Sequence, residues 1–308
     1  MADLAQKTVE DYDAVAEADS GTAGEEHADP SSKEKKPKQR KYRSDRGAFL
    51  AAFMDLFVGL VSVRLWWSLA CEEFIRRYSR TALGAIWSMA SFVVWILAIS
   101  FFFGALSSAE ASAFTHYVAL GFLVFSYISS SINEGCSTFV SSRQWMQSAR
   151  LPLSIYVFKD TARGLITFFF NAIGAAGVLL VFGFRPEGIT SLWALAGLAI
   201  LPINAIWVGL LFGTISARYR DFLHLMQTVM RLAFFMTPVM WRAEDLGTRG
   251  VIAEFNPMTH FLNIVRDPML YQDPNWHSWK VVLVITGVGW LIALAAFIRS
   301  RNRIVFWI

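Results

Sequence analysis

An all-α integral membrane fold is the class that composition, segment length and charge placement predict for this chain. Of its 308 residues, 55% are hydrophobic and only 17% are charged, with a mean hydropathy of +0.42. Soluble domains carry about 25% charged residues, so there is too little polar material here to coat a water-exposed globule. Six apolar segments run to about 20–25 residues each, enough to cross ~30 Å of hydrocarbon at about 1.5 Å per residue. Lys and Arg gather in alternate connecting segments, as they do in multi-pass membrane proteins. The net charge of +4 suits contact with anionic lipid, and no basic stripe suggests a nucleic-acid partner.

Residues 1–46 read as a disordered cytoplasmic tail. Their first half is acidic (Glu10, Asp11, Asp13, Glu17, Asp19) and their second is basic from Lys33 to Lys41. Few large apolar residues occur there to offset the entropy of ordering. No apolar core of a secretory signal is present. The basic half is compatible with binding anionic lipid and equally with plain solvation.

Residues 47–81 form the next region. Between Gly47 and Val63 the apolar run is interrupted by Asp55, Gly59 and Ser62, spaced so as to share one helix face. Basic residues flank the run on both sides, at Lys33 to Arg46 and at Arg64, Arg76, Arg77 and Arg80. A membrane span would send one of those clusters across, against the positive-inside rule. An amphipathic interfacial helix keeps both on one side, and Trp66 and Trp67 suit the headgroup zone.

Residues 82–308 form the six-span domain, with spans at about 82–106, 116–140, 165–184, 192–216, 222–241 and 279–298. The tail, the stretch to Arg80, loops 141–164 and 217–221 and the C-terminus hold 22 of the 28 basic residues. The opposite segments 107–115, 185–191 and 242–280 hold five, and Arg231 within span five is the last. This imbalance places both termini in the cytoplasm. The last outer loop, 242–278, is too long to be featureless. Met258, Phe261, Leu262 and Val265 recur at helical spacing, with Asn256-Pro257 opening the stretch and Pro268 closing it. One or two short re-entrant or gate helices are expected.

No GxxxxGK[ST], HExxH or GxSxG motif occurs, so the chain has no nucleotide cradle, zinc helix or serine nucleophile of those kinds. The five histidines are scattered, and Cys71 and Cys136 form no pair or metal spacing. No catalytic residue, cofactor or metal is therefore assigned. Charge within hydrocarbon is costly and points to function. Glu134 in span two and Arg231 in span five are the charged candidates. Arg231 can face a wet channel and touch an anionic substrate, or pair with Glu134 as structural glue; both satisfy the same desolvation demand. Rings such as Phe125, Tyr127 and Trp207 can stack on sugar faces in a channel, or simply pack helices and mark the interface.

Four segments together resemble the permeases of ABC-2 type transporters. Arg76-Arg77-Tyr78-Ser79-Arg80-Thr81-Ala82-Leu83-Gly84-Ala85-Ile86-Trp87 is similar to their element before span one. Ser216-Ala217-Arg218-Tyr219-Arg220-Asp221-Phe222 resembles their element before span five. Thr237-Pro238-Val239-Met240-Trp241 resembles the outer end of that span. Asn256-Pro257 through Arg266-Asp267-Pro268 resembles an element of the outer loop. The resemblance runs from about Ala48 to the C-terminus and points to the branch exporting polysaccharide, O-antigen, capsule and teichoic acid. The chain departs from that pattern at Glu72-Glu73, in lacking an early proline in span one, at Arg231 and in its tail.

The resemblance implies a homodimeric channel in the bacterial inner membrane. A separate P-loop ATPase, in two copies and carrying the ATP and magnesium, would supply the work. The cargo implied is a polyprenyl-diphosphate-linked glycan. Arg76, Arg77, Tyr78 and Arg80 would meet lipid headgroups or the diphosphate, a task suited to guanidinium forks. Arg143, Gln144, Trp145, Met146, Arg150 and Leu151 would couple to the ATPase, with Arg218, Tyr219, Arg220 and Asp221 nearby. Asn256, Pro257, Phe261, Arg266 and Pro268 would form the outer gate. A drug-efflux permease and a secondary flippase for lipid-linked glycans are the alternatives. A polyprenyl-phosphate transferase would need clustered carboxylates for a metal, and the cytoplasmic loops offer only Asp160 and Asp221.

Overall fold

The computed structural model describes residues 45–79, 83–105, 107, 110–148, 151–186, 188–242, 245, 247 and 250–308. Nearly all of the expected tail lies outside them, as do Arg80 and Arg150 among the expected site residues. Among the described residues the chain is helical, without strands. The helices are α1 (Asp45–Val61), α2 (Val63–Tyr78), α3 (Ile86–Gly104), α4 (Ala111–Ser141), α5 (Arg143–Ser148) and α6 (Leu153–Val181). They continue as α7 (Leu192–Arg218), α8 (Asp221–Met236), α9 (Val251–Phe255), α10 (Pro257–Leu270) and α11 (Trp276–Trp307).

Five of the described helices, α3, α4, α6, α7 and α11, are long and apolar enough to cross a membrane. A sixth crossing is available if α1 and α2, bent by 67° at a break around Ser62, act as one broken span. The chain is thus a multi-pass membrane protein. The region expected as a single interfacial helix is two helices.

Helices α4 and α7 make the most extensive pairing, flanked by α6 and α11, while α3 lies outside on α4 and α6 and α8 lies outside on α4. The α4–α7 seam depends on small residues. A Cβ on Gly135 would come 3.1 Å from Gly209 Cα, and one on Gly213 would come 3.0 Å from the Gly135 carbonyl oxygen. In a bilayer, such close backbone approach supplies the dispersion contacts that hold helices together. One core cluster joins α4, α7, α10 and α11 around Leu262 and Ile264. A second joins α3, α4 and α6 around Ile96 and Val118. A third, around Phe139 and Phe297, gathers α1, α4, α6, α7 and α11 at one end of the bundle.

Three boundaries differ from the sequence reading. Helix α6 starts at Leu153, so much of the expected loop 141–164 is helix. Pro152 precedes it in an extended conformation and caps nothing with its own side chain. The N–H groups of the first turn, which have no partner within the helix, are instead met from α1: Asp55 accepts from Ser154 N at 3.0 Å and from Leu153 N at 3.2 Å. A window on α6 alone carries no sign of that cap.

Segment 222–241 is helical only as α8, whose 16 residues reach about 24 Å, short of the ~30 Å hydrocarbon core. Thr237 is extended because it precedes Pro238. Pro268 lies inside α10, which runs on to Leu270 instead of ending at the proline.

Candidate functional site

A cleft of about 590 Å³ opens between α3, α4 and α8. Its walls are aromatic: Trp95 from α3, Phe122 and Phe125 from α4, and Phe234 and Phe235 from α8. Phe125 and Phe234 face each other with ring centroids 5.3 Å apart. Four polar residues line the same space: Ser129 and Asn133 on α4, and Gln227 and Arg231 on α8. Each pair is spaced by four, so each occupies one helix face. Arg231 stands ten residues along the chain from Asp221, or about 15 Å along the helix axis.

The expected channel residues do not share one place. Phe125 and Arg231 line this cleft. Tyr127 and Trp207 line a second cavity of about 200 Å³, together with Asn204, Met258 and Phe261. Trp207 Nε1 donates to Asn204 Oδ1 at 2.7 Å, and Asn204 Nδ2 donates to Thr286 Oγ1 at 3.0 Å. The indole lies so close to Gly289 that a Cβ there would come within 2.5 Å of its ring.

Glu134 is elsewhere again, and it does not pair with Arg231. Its carboxylate lies 3.4 Å from Arg77 Nη1 and 3.3 Å from Arg163 Nη2. Those bridges belong to a larger charge network. Glu73 on α2 accepts from Lys159 Nζ at 2.6 Å and is also bonded by Arg163. Asp160 Oδ1 lies 3.1 Å from Lys159 Nζ and 3.3 Å from Arg163 Nη2. The Lys159, Asp160 and Arg163 side chains are all buried. Three acids against three bases leave no net charge, which is the condition for tolerating such a cluster away from water.

Next to this network on α2, Arg76 is held by Glu72, one turn back. Arg76 also borders a pocket of about 300 Å³ with Gln144 and Trp145 of α5. Two groups assigned separately from sequence therefore share one pocket. Met146 and Leu151 turn inward onto the Phe139–Phe297 cluster, whereas Trp145 is exposed. Arg218 Nε donates to the Tyr219 hydroxyl at 3.0 Å, and its guanidinium lies 5.3 Å from the ring of Trp307 near the C-terminus. Tyr219, Arg220 and Asp221 are exposed.

At the other end, α8 is tied to α10. Asn256 caps α10 by accepting from Met258 N at 2.9 Å, and its Nδ2 donates to Thr237 Oγ1 at 2.9 Å. Arg266, only 4% exposed, donates from Nη1 to the Pro238 carbonyl at 2.9 Å and from Nη2 to Asn263 Oδ1 at 2.7 Å. Its guanidinium also lies 3.9 Å from the Tyr117 ring centroid, a cation–π contact. Phe261 is buried in the core beneath. Burial pushes the neighbouring Asp267 carboxyl above its ordinary range, opposed by Arg266 and by a hydrogen bond from Asn275.

Residues 64–270, more than half of the chain, match the family described as ABC-2 type transporter. The chain belongs to the ABC-2 type transporter family. It is similar to two O-antigen export system permease proteins RfbA of Klebsiella pneumoniae. One is 19% identical over 229 residues, covering 74% of this chain and 88% of the relative. The other is 21% identical over 230 residues with the same coverage. An O-antigen export system permease protein RfbA of Myxococcus xanthus is 22% identical over 198 residues, covering 63% of this chain and 76% of the relative.

In this ABC-2 permease, two segments that carried the resemblance meet in space. The Thr237-Pro238 turn is gripped by Asn256 and Arg266 of the outer-loop segment. The charge network is what sequence reading passed over, because Lys159, Asp160 and Arg163 were assigned to a solvated loop. Their spacing of i, i+1 and i+4 is that of one helix face, a signal that counts only once the helix is known to start at Leu153.

Proposed function

We propose that this permease is the membrane subunit of an ATP-driven exporter of a polyprenyl-diphosphate-linked polysaccharide, of the O-antigen or capsule kind. Two copies form the channel in the bacterial inner membrane, with both termini in the cytoplasm. Two copies of a separate P-loop ATPase, holding ATP and magnesium, supply the work. The observation that carries this reading is the family match over residues 64–270, joined to relatives named as O-antigen export permeases along most of their length.

The local geometry supports roles for particular residues. The aromatic cleft offers flat apolar faces beside amides, a combination suited to sugar rings, whose C–H faces are apolar and whose edges are hydroxylated. Arg76, Arg77 and Tyr78 end α2, and with Arg80 they receive the diphosphate. Arg76 is well exposed and gives up its exposed Glu72 partner at little cost. Exposed Trp145 and Tyr219 provide the kind of aromatic anchor an ATPase cleft can bury. Helix α10, pinned to Thr237 and Pro238, forms the outer gate.

Everted membrane vesicles holding the chain and its ATPase test the reading. Added lipid-linked glycan is expected to become protected from an external glycan hydrolase only when ATP is supplied. Protection driven by an ion gradient without the ATPase, or ATP hydrolysis by the purified chain alone, overturns it.

A further inference from the structure

We infer that Arg231 is an anion contact on the export path, and that the cleft around it receives a negatively charged group of the passing glycan. This inference rests on the export reading and adds a selectivity to it. Arg231 has no carboxylate within ion-pair distance among the described residues; it is exposed on α8, beside Leu232, Phe234 and Phe235, where that helix is otherwise apolar. An uncompensated guanidinium in that setting is costly, and it persists where water or an anion reaches it. The arginines of the network and clamp described above each have a partner; Arg231 is exposed and lines the cleft alongside its aromatic walls.

The groups around it complete a polar strip. Gln227 lies one helical turn from Arg231 on α8, and Ser129 and Asn133 face them from α4. Asn133 Nδ2 is used by the Ser129 carbonyl, at 2.8 Å. Its Oδ1 is buried without a hydrogen-bond partner among the described residues. That unpartnered acceptor suits a sugar hydroxyl, while the guanidinium suits a carboxylate or phosphate oxygen beside it. Phe125 and Phe234 supply the flat faces on which a sugar ring can rest. The anion can come from two sources, the acid sugars of the glycan or the diphosphate of its lipid anchor.

The test compares Arg231→Gln and Arg231→Lys with the natural chain in everted vesicles holding the ATPase. Two substrates share one polyprenyl diphosphate, the first carrying a neutral glycan and the second a uronic-acid glycan. If acid sugars are the ligand, Arg231→Gln lowers export of the acidic glycan about tenfold and leaves the neutral one unchanged, with Lys restoring most of the loss. If the diphosphate is the ligand, both fall alike and Lys restores both. Unchanged export of both substrates overturns the inference, as does a fall in both that Lys does not restore. Failure of the natural chain to move either glycan sinks the export reading, and this inference with it.

Discussion

Asp55 shows how much one residue can hold. It is fully buried, meets two backbone N–H groups at the start of α6, and accepts from Arg301 Nε at 2.9 Å. Asp55→Ala would take the buried carboxylate from Arg301 and leave two unmet backbone donors inside the protein. A loss of about 3–5 kcal/mol is expected, the usual cost of removing one partner from a buried ion pair. Thermal unfolding of the detergent-solubilised chain measures it, and a midpoint unchanged from the natural chain would refute the role. Sequence showed Asp55, Gly59 and Ser62 on one helix face, but not what that face touches. It is turned to the protein: a Cβ on Gly59 would collide with Ser154 Oγ at 2.1 Å. Arg266 makes a different argument, about geometry. Its fork reaches Pro238 and Asn263 while its plane lies over Tyr117, so three contacts depend on a flat, branched group. Arg266→Lys keeps the charge and loses the fork and the stack. It is expected to lower the unfolding midpoint nearly as much as Arg266→Ala does; recovery by Lys to the natural value would show that charge alone matters there.

The network between α2, α4 and α6 is the corresponding case for whole elements. Glu73 is the only acid α2 sends to Lys159 and Arg163, so it fixes where α2 lies on α6. A charge reversal distinguishes this from incidental contact. Glu73→Lys alone sets three bases together and should weaken the chain's folding and membrane yield. Combining it with Lys159→Glu restores alternation and should recover a good part of the loss, while Arg163 keeps the exchange from being complete. A double variant no better than the sum of the two single ones would show that the pairs are uncoupled. These helices also mark what could be read in advance. The apolar runs behind α3, α4, α6, α7 and α11 were plain in the sequence, because hydrocarbon demands length and apolarity of each span separately. The start of α6 and the end of α8 were not, because one is set by a carboxylate on α1 and the other by a proline turn gripped from α10. The expected site residues divide in the same way. Asn256 and Arg266 could be named from their motif, yet the Thr237-Pro238 turn they hold is visible only in three dimensions.

For the molecule as a whole, the outstanding physical quantity is its orientation in the bilayer. The charge imbalance predicts that α5 and the α7–α8 turn face the cytoplasm, while the α3–α4 connection and α10 face outward. The structure adds a constraint that charge counting lacks. The Phe139–Phe297 cluster ties α1, the end of α4, the start of α6 and the end of α11 to one end of the bundle. The Arg266 clamp ties α10 to the end of α8 that is far from Asp221. Whichever side one marker occupies, the other must lie opposite, so two single-cysteine variants test the arrangement together. With Cys71 and Cys136 replaced by serine, Gln144→Cys and Ser107→Cys are to be exposed in intact cells to a membrane-impermeant thiol reagent. Ser107→Cys is expected to label and Gln144→Cys to label only after the cells are opened. The reverse pattern would invert the orientation and place the exposed Trp145 away from any cytoplasmic ATPase. Labelling of both in intact cells would contradict the placement of the two markers at opposite ends, and with it the bundle in which the aromatic cleft is built.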